Sequence, residues 1–223
     1  MKKYKILCAV CLVVFIGVLA YKLIFTYVNE TKILKQVVAR LEAESRIAEV
    51  LVTKVKYDEK TGNMFTTIKF LEYDVNQNPL DPMYFTFSGN IIQFQSLVIR
   101  FDDRYIKVND KLKGKSIFIF WKVFMLDGSN TQEFEISKIN EIPQGYKIEG
   151  SNNYFEKKLW GNFWNYALNP KTAKTKGIKN VQIEAPGTIF VPGMLYRLKI
   201  EHDGGIRIET ISLPEILKGE VII

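Results

Sequence analysis

Between Ile6 and Tyr21 the chain carries no charged residue, and Lys22 is the only one before Glu30. In lipid a run this apolar must satisfy its own backbone, which makes it a helix there. Its sixteen residues rise about 24 Å, short of a hydrocarbon core of roughly 30 Å. Leu23 to Val28 restore the length if Lys22 carries its amine to a headgroup. Tyr21 and Tyr27 suit the interface, where an amphipathic ring keeps one end wet. Lys2, Lys3 and Lys5 hold the amino end in the cytoplasm, so the bulk of the chain is expected outside, in the periplasm if the cell has two membranes. A cleaved secretory signal is the competing reading, because Ala20 supplies the small residue of a cleavage site. The apolar residues beyond Ala20 favour an uncleaved anchor, and both readings give the same sidedness. Cys8 and Cys11 lie too early for a lipoprotein, and neither follows a small residue at the required place.

This placement changes the meaning of the net charge of +7. Without Lys2, Lys3, Lys5 and Lys22, 27 basic residues face 24 acidic ones, or +3. A domain so mildly basic does not imply a general field for nucleic acid, and no nucleic-acid partner is expected. Both cysteines lie inside the apolar run, so the external part has no disulfide and depends on a buried core.

Three segments follow: a cytoplasmic tip and membrane anchor at 1–28, a helical stalk at 29–49, and a β-rich external domain at 50–223. The stalk is free of Gly and Pro and rich in helix formers. Leu34, Val38, Leu41, Ser45 and Ala48 recur at spacings of four and three, the seam of a short coiled coil. Tethering in a bilayer would raise the effective concentration for such a seam and give a homo-oligomer. The alternative is an amphipathic helix packed on its own domain.

From Val50 the pattern alternates. VLVTKVKY and MFTTIKFLEYD read as a hairpin about DEKTGN. YFTF and IIQFQSLVIRF read as a further strand pair, or as one strand broken at Gly89. SIFIFWKVFML, residues 116–126, is apolar on both faces except Lys122, which places it mid-sheet. NYFEKKLWGNFWNYAL is the internal helix, with Phe155, Leu159, Phe163, Tyr166 and Ala167 on one stripe and Trp160 and Trp164 beside it. Asn169-Pro170 ends it. The last strands include MLYRLKIEH and IRIETI about Asp203-Gly204. The expected fold is mainly β with one internal helix, a β-sandwich or barrel-like domain behind a membrane helix.

Residues 157–180 hold six lysines and four aromatics without one carboxylate. The aromatics occupy the inward stripe of the helix, and Trp160, Phe163 and Trp164 are expected to plug an open end of the β-core. Lys171, Lys174, Lys176 and Lys179 form a basic loop, the candidate surface for an anionic lipid, an anionic envelope polymer or an envelope protein. His202 is the only histidine, and no G-x-S-x-G elbow accompanies it. One histidine and no external cysteine cannot assemble the usual zinc or copper ligands within one subunit. Asp74, Asn76 and Asn78 imitate an EF-hand opening, but Pro79 replaces its glycine and Phe85 stands where the bidentate glutamate belongs. An Asx-rich turn is the plainer expectation. Glu133 and Glu135 share a strand face, and alternation with Phe134 and Ile136 makes it the wet one. No Gly-rich phosphate cradle is present, so no catalytic residue, metal or cofactor is assigned. The expected function is a non-enzymatic envelope scaffold or binding module. The alternatives are an envelope glycan hydrolase using a carboxylate pair and a pilin-like assembly component. A long apolar helix before a β-domain resembles the layout of type IV pilins, although this chain lacks their glycine cleavage junction and following glutamate. Anchor, short coil and external domain is similar in layout to small assembly proteins of secretion or division machineries.

Overall fold

The computed structural model describes residues 2–40, 46–60, 62–74, 76–101, 116–127, 130–148, 154–169, 171–172, 178–201 and 205–213. The chain forms two compact units, Met1–Val37 and Val38–Ile223. The first contains most of helix α1, which runs Lys2–Arg40. Within it Cys11–Asn29, 19 residues of mean hydropathy 2.2, is not covered by any protein. That window rises about 28 Å, the thickness of a hydrocarbon core. The Thr26 hydroxyl donates to the Lys22 carbonyl one turn back, 2.9 Å away, so its polarity is answered inside the helix. The ring of Tyr21 stacks on Phe25, 6.2 Å between centroids.

The helix ends at Arg40 and strand β1 opens at Arg46, which corrects the stalk expected to reach residue 49. Residues 46–52 alternate inward and outward, and Ala48 is fully buried in the β-core rather than on a helical seam. Ala, Glu and Arg favour a helix locally, but pairing on both sides of β1 outweighs that weak preference. Leu34 and Val38 lie in α1, and Leu41 and Ser45 lie outside the described residues.

β1 (Arg46–Asp58) is the centre of the first sheet. It pairs antiparallel with β2 (Asn63–Glu72) on one side and β9 (Met194–Ile200) on the other. β3 (Met83–Phe87) and β10 (Ile206–Ser212) form the edges, in the order β10-β9-β1-β2-β3. The β1–β2 turn is closed by the Gly62 amide donating to the Asp58 carbonyl at 2.8 Å. Gly62 there has φ +70°, a conformation glycine adopts without steric cost. The second sheet has the order β6-β5-β4-β7, with β8 also on β4. Its strands are β4 (Ile91–Phe101), β5 (Ser116–Asp127), β6 (Asn130–Glu135), β7 (Ile178–Glu184) and β8 (Gly187–Ile189). β5 lies between β4 and β6, the central position expected from its apolar run.

β3 and β4 do not pair with one another: β3 bonds to β2 and β4 to β5, so residues 88–90 carry the chain from one sheet to the other. Of the two expectations, a strand pair is not formed, and the run broken at Gly89 passes from one sheet to the other. Both strands carry inward aromatics, which periodicity reads identically whether they share a sheet or face each other. At Gly89 an added Cβ would stand 2.9 Å from the Met125 sulfur, so a larger residue there would displace the end of that side chain.

Inward residues of both sheets form one core. The ring of Phe70 in β2 lies 5.6 Å from Phe94 in β4 and 5.6 Å from Phe120 in β5, the second edge-on. Phe134 in β6 closes on Phe85 and Phe87 of β3 at 5.5 and 5.2 Å. Such pairs add about 0.5–1.5 kcal/mol each beyond the area they bury. We expect Phe70→Ala to cost about 3–5 kcal/mol in urea-induced unfolding. Tyr84→Ala, on the outward face of β3, should change the midpoint by less than about 0.5 kcal/mol.

Candidate functional site

Helix α2 spans Tyr154–Leu168 and buries Glu156, Trp160, Phe163, Trp164 and Ala167. The buried stripe centres on the tryptophans, rotated from the one expected, and Phe155 and Leu159 are only half-buried. Trp164 stands 6.4 Å from Trp121 of β5, and its indole N–H donates to the Glu141 carbonyl at 2.7 Å. Trp160 meets Tyr146 at 5.0 Å and Phe163 edge-on at 5.3 Å. None of these helix residues belongs to the inter-sheet core. They form a second apolar layer against Trp121 and Tyr146.

Of the four lysines expected to form a basic loop, Lys171 is exposed and Lys174 and Lys176 lie outside the described residues. Lys179 lies in β7 as an extra residue: Arg100 pairs with Asn180 and Phe101 with Ile178, so Lys179 has no partner position on β4, the pattern of a β-bulge. Lys157 and Lys158 are exposed on α2. His202 lies outside the described residues. Glu133 and Glu135 are exposed on β6, as alternation implied, and Glu133 takes the Lys122 ammonium at 2.6 Å.

The loop at 74–81 fills its own acceptors. One oxygen of Asp74 accepts the amides of Asn76 and Asn78, both at 2.8 Å, and the other accepts the Asn78 side-chain amide at 3.1 Å. Gln77 sits at φ +64°. Asp81 accepts from the side-chain amide of Gln144 at 3.4 Å. This is an Asx turn closed by its own amides. Among the described residues no three His, Cys, Asp or Glu side chains converge on a common point. Partial burial pushes the Asp74 carboxyl up, but the hydrogen bonds from Asn78 and Asn76 and the charge of Arg46 outweigh it and hold the group below its ordinary value.

A buried ionic cluster was missed. Arg46 occupies the inward parity of β1 and is 1% exposed. Its Nη2 reaches Glu72 Oε1 at 2.5 Å and its Nη1 donates to the Gly145 carbonyl at 3.3 Å. The guanidinium carbon lies 4.8 Å from the Tyr146 ring. The Tyr146 hydroxyl donates to the Phe118 carbonyl and accepts the Phe118 amide, both at 3.1 Å. An added Cβ at Gly145 would fall 1.5 Å from Arg46 Nη2, so only glycine lets the turn Gln144–Tyr146 close on the cation. Burial works to lower the Arg46 pKa, yet Glu72 and the Tyr146 oxygen raise it overall; burial raises that of Tyr146. One sequence signal pointed here: Glu72 has the parity of Thr66, Ile68 and Phe70, which turns an acid inward. Arg46 gave no such signal while it was read as helix.

The outward face of the first sheet carries a second set of charges. Glu49 accepts the Tyr73 hydroxyl at 2.8 Å and Arg197 at 2.9 Å. Arg207 pairs with Glu209 at 2.8 Å and Glu201 at 3.1 Å. These half-exposed pairs neutralise the β10-β9-β1 side and contribute little to stability.

Two antiparallel sheets, a short internal helix and an N-terminal apolar helix define a mainly β protein of two units. Comparison with protein-family models, with curated proteins and with solved structures finds no match.

Glu72→Ala should cost about 3–5 kcal/mol in chemical unfolding, because it strands a buried cation. Arg46→Met together with Glu72→Leu should recover most of that loss. For Asp74 the lowered native value means that its stabilisation is present above about pH 3.9 and is lost as the pH falls through the native value. Between pH 5 and pH 2, in roughly the range where carboxylates titrate, the stability of Asp74→Asn should therefore fall less steeply than that of the unsubstituted protein.

Proposed function

We propose that the protein is a single-pass membrane protein of the cell envelope, amino end in the cytoplasm, whose β-sandwich domain acts outside the membrane as a non-enzymatic scaffold or binding module. The observation that carries this reading is α1. Its side chains from Leu12 to Val28 include thirteen large exposed apolar groups, Leu12 60% and Phe25 62% exposed among them. Surface of that kind is not stable in water at this extent and fits lipid. The lysines at 2, 3 and 5 support the orientation. The sandwich reading rests on the aromatic contacts that join the two sheets. The interior of the domain is largely apolar packing, with Arg46 and Glu72 answering each other and Glu156 of α2 also fully buried. Recognition is therefore assigned to the outer surfaces.

Self-association through Leu34, Val38, Leu41 and Ala48 is not part of this reading, since Ala48 is buried in the β-core rather than on a helical seam. The protein should stay in the membrane fraction after alkaline carbonate extraction, and protease added to intact spheroplasts should digest the β-domain. Release by carbonate, or full protection of the β-domain with the cells intact, would overturn the assignment.

A further inference from the structure

The outward face of the first sheet has two unlike halves. Around Glu49 and Arg197 the charges pair internally. Toward the far end of β1 they do not. The register places Lys54 opposite Thr67, Lys56 opposite Phe65 and Leu51 opposite Lys69. It continues onto β3 with Thr67 opposite Thr86 and Lys69 opposite Tyr84. The buried residues of β2 are Thr66, Ile68 and Phe70, so Phe65, Thr67 and Lys69 face outward, and their cross-strand partners with them. Thr53, the extra residue between Val52 and Lys54, is the bulge that turns the lysines at 54 and 56 to this side. Without it their parity would aim them at the core.

Lys54, Lys56 and Lys69 have no ion pair among the described residues, and Lys54, Lys56, Tyr84 and Thr86 are exposed. Thr67 and Thr86 share a hydrogen bond of 2.9 Å in the middle of the face. Asp58, the next residue of this parity after Lys56, closes the face at the hairpin tip, where it accepts the Lys60 amide, and Glu49 at the other end is held by Arg197 and Tyr73. Same-face neighbours along a strand are about 7 Å apart and strands about 4.8 Å apart. The three ammonium groups and two rings therefore cover a flat area about 14 Å long.

We propose that this corner of the sheet binds an acidic polysaccharide, with Lys54, Lys56 and Lys69 meeting its carboxylates and Tyr84 and Phe65 lying against its sugar rings. The proposal rests on the external binding module argued above and supplies its ligand class. Charge complementarity selects an anion, and the absence of any enclosure selects a long one that engages several weak contacts at once. The rings stand apart, Tyr84 beside Lys69 and Phe65 beside Lys56, with hydroxyls between them. A protein partner calls for an apolar centre, whereas separated rings and hydroxyls match the C–H faces and hydroxyls of successive sugars.

The test uses the full chain in detergent micelles, with polygalacturonate as the probe and dextran, polyphosphate and single-stranded DNA as comparators, followed by affinity electrophoresis. Polygalacturonate should retard the protein and dextran should not. Lys54→Glu with Lys56→Glu should weaken retardation at least about tenfold, Tyr84→Ala about fivefold, and Lys171→Glu not at all, all at unchanged unfolding midpoints. Several results would overturn the proposal. They are no retardation, retardation insensitive to Tyr84, equal retention on polyphosphate or DNA, or dependence on Lys171 instead of Lys54 and Lys56. Each is separate from the membrane assignment, which fractionation and protease access decide.

Discussion

A guanidinium sealed inside a β-domain has to be answered by the protein itself, and the way Arg46 is answered organises much of what surrounds it. Glu72 brings the end of β2 to the start of β1. The Gly145 carbonyl and the Tyr146 ring bring in a segment almost a hundred residues further on. Tyr146 then fixes itself to the backbone of β5 and offers its ring to Trp160. A single buried charge thus links the first sheet, the second sheet and helix α2. A buried ion pair is a poor source of stability compared with apolar packing of equal volume. Its value here lies in geometry, because a misplaced strand would leave a charge unpaired, which costs far more than a misplaced methyl group.

Arg46 is also the first residue of β1, the strand that follows the apolar helix. Anchoring that residue fixes the point at which the first sheet begins. The opposite end of β1 has another character. Beyond the bulge at Thr53 the strand is exposed and its outward positions are lysines. One strand of 13 residues, about 40 Å long at strand rise, therefore joins a buried, charge-neutral end to an exposed, basic one.

How far the sequence foretold this differs by feature. The apolar helix, the central β5, the β1–β2 and β9–β10 hairpins and helix α2 were all legible, because each rests on local periodicity. Three things were not. The end of α1 was misplaced because Ala48 and Glu49 favour helix locally, and only pairing with β2 and β9 makes them a strand. The change of sheet at Ser88–Asn90 stands open in the sequence between a strand pair and one strand broken at Gly89, since nothing in alternating aromatics says which sheet a strand joins. The lysine face at 54, 56 and 69 was invisible because a bulge shifts parity, and a bulge has no reliable mark in a single sequence. The stretch at 157–180 drew attention for its composition, yet its tryptophans are interior packing on Trp121 and Tyr146.

The contrast between those two lysine sets is instructive about surfaces. In α2 lysines and aromatics are neighbours in sequence, but a helix sends neighbouring residues to different sides, and Trp160, Phe163 and Trp164 lie inward as their stripe implied. In a sheet the opposite holds: residues far apart in sequence share a face, so Lys54, Lys69 and Tyr84 come together from three strands. Composition along the chain therefore overstates clustering in helices and misses it in sheets. For a domain whose interior is mostly apolar packing, the outward register of its strands is where the capacity to bind resides.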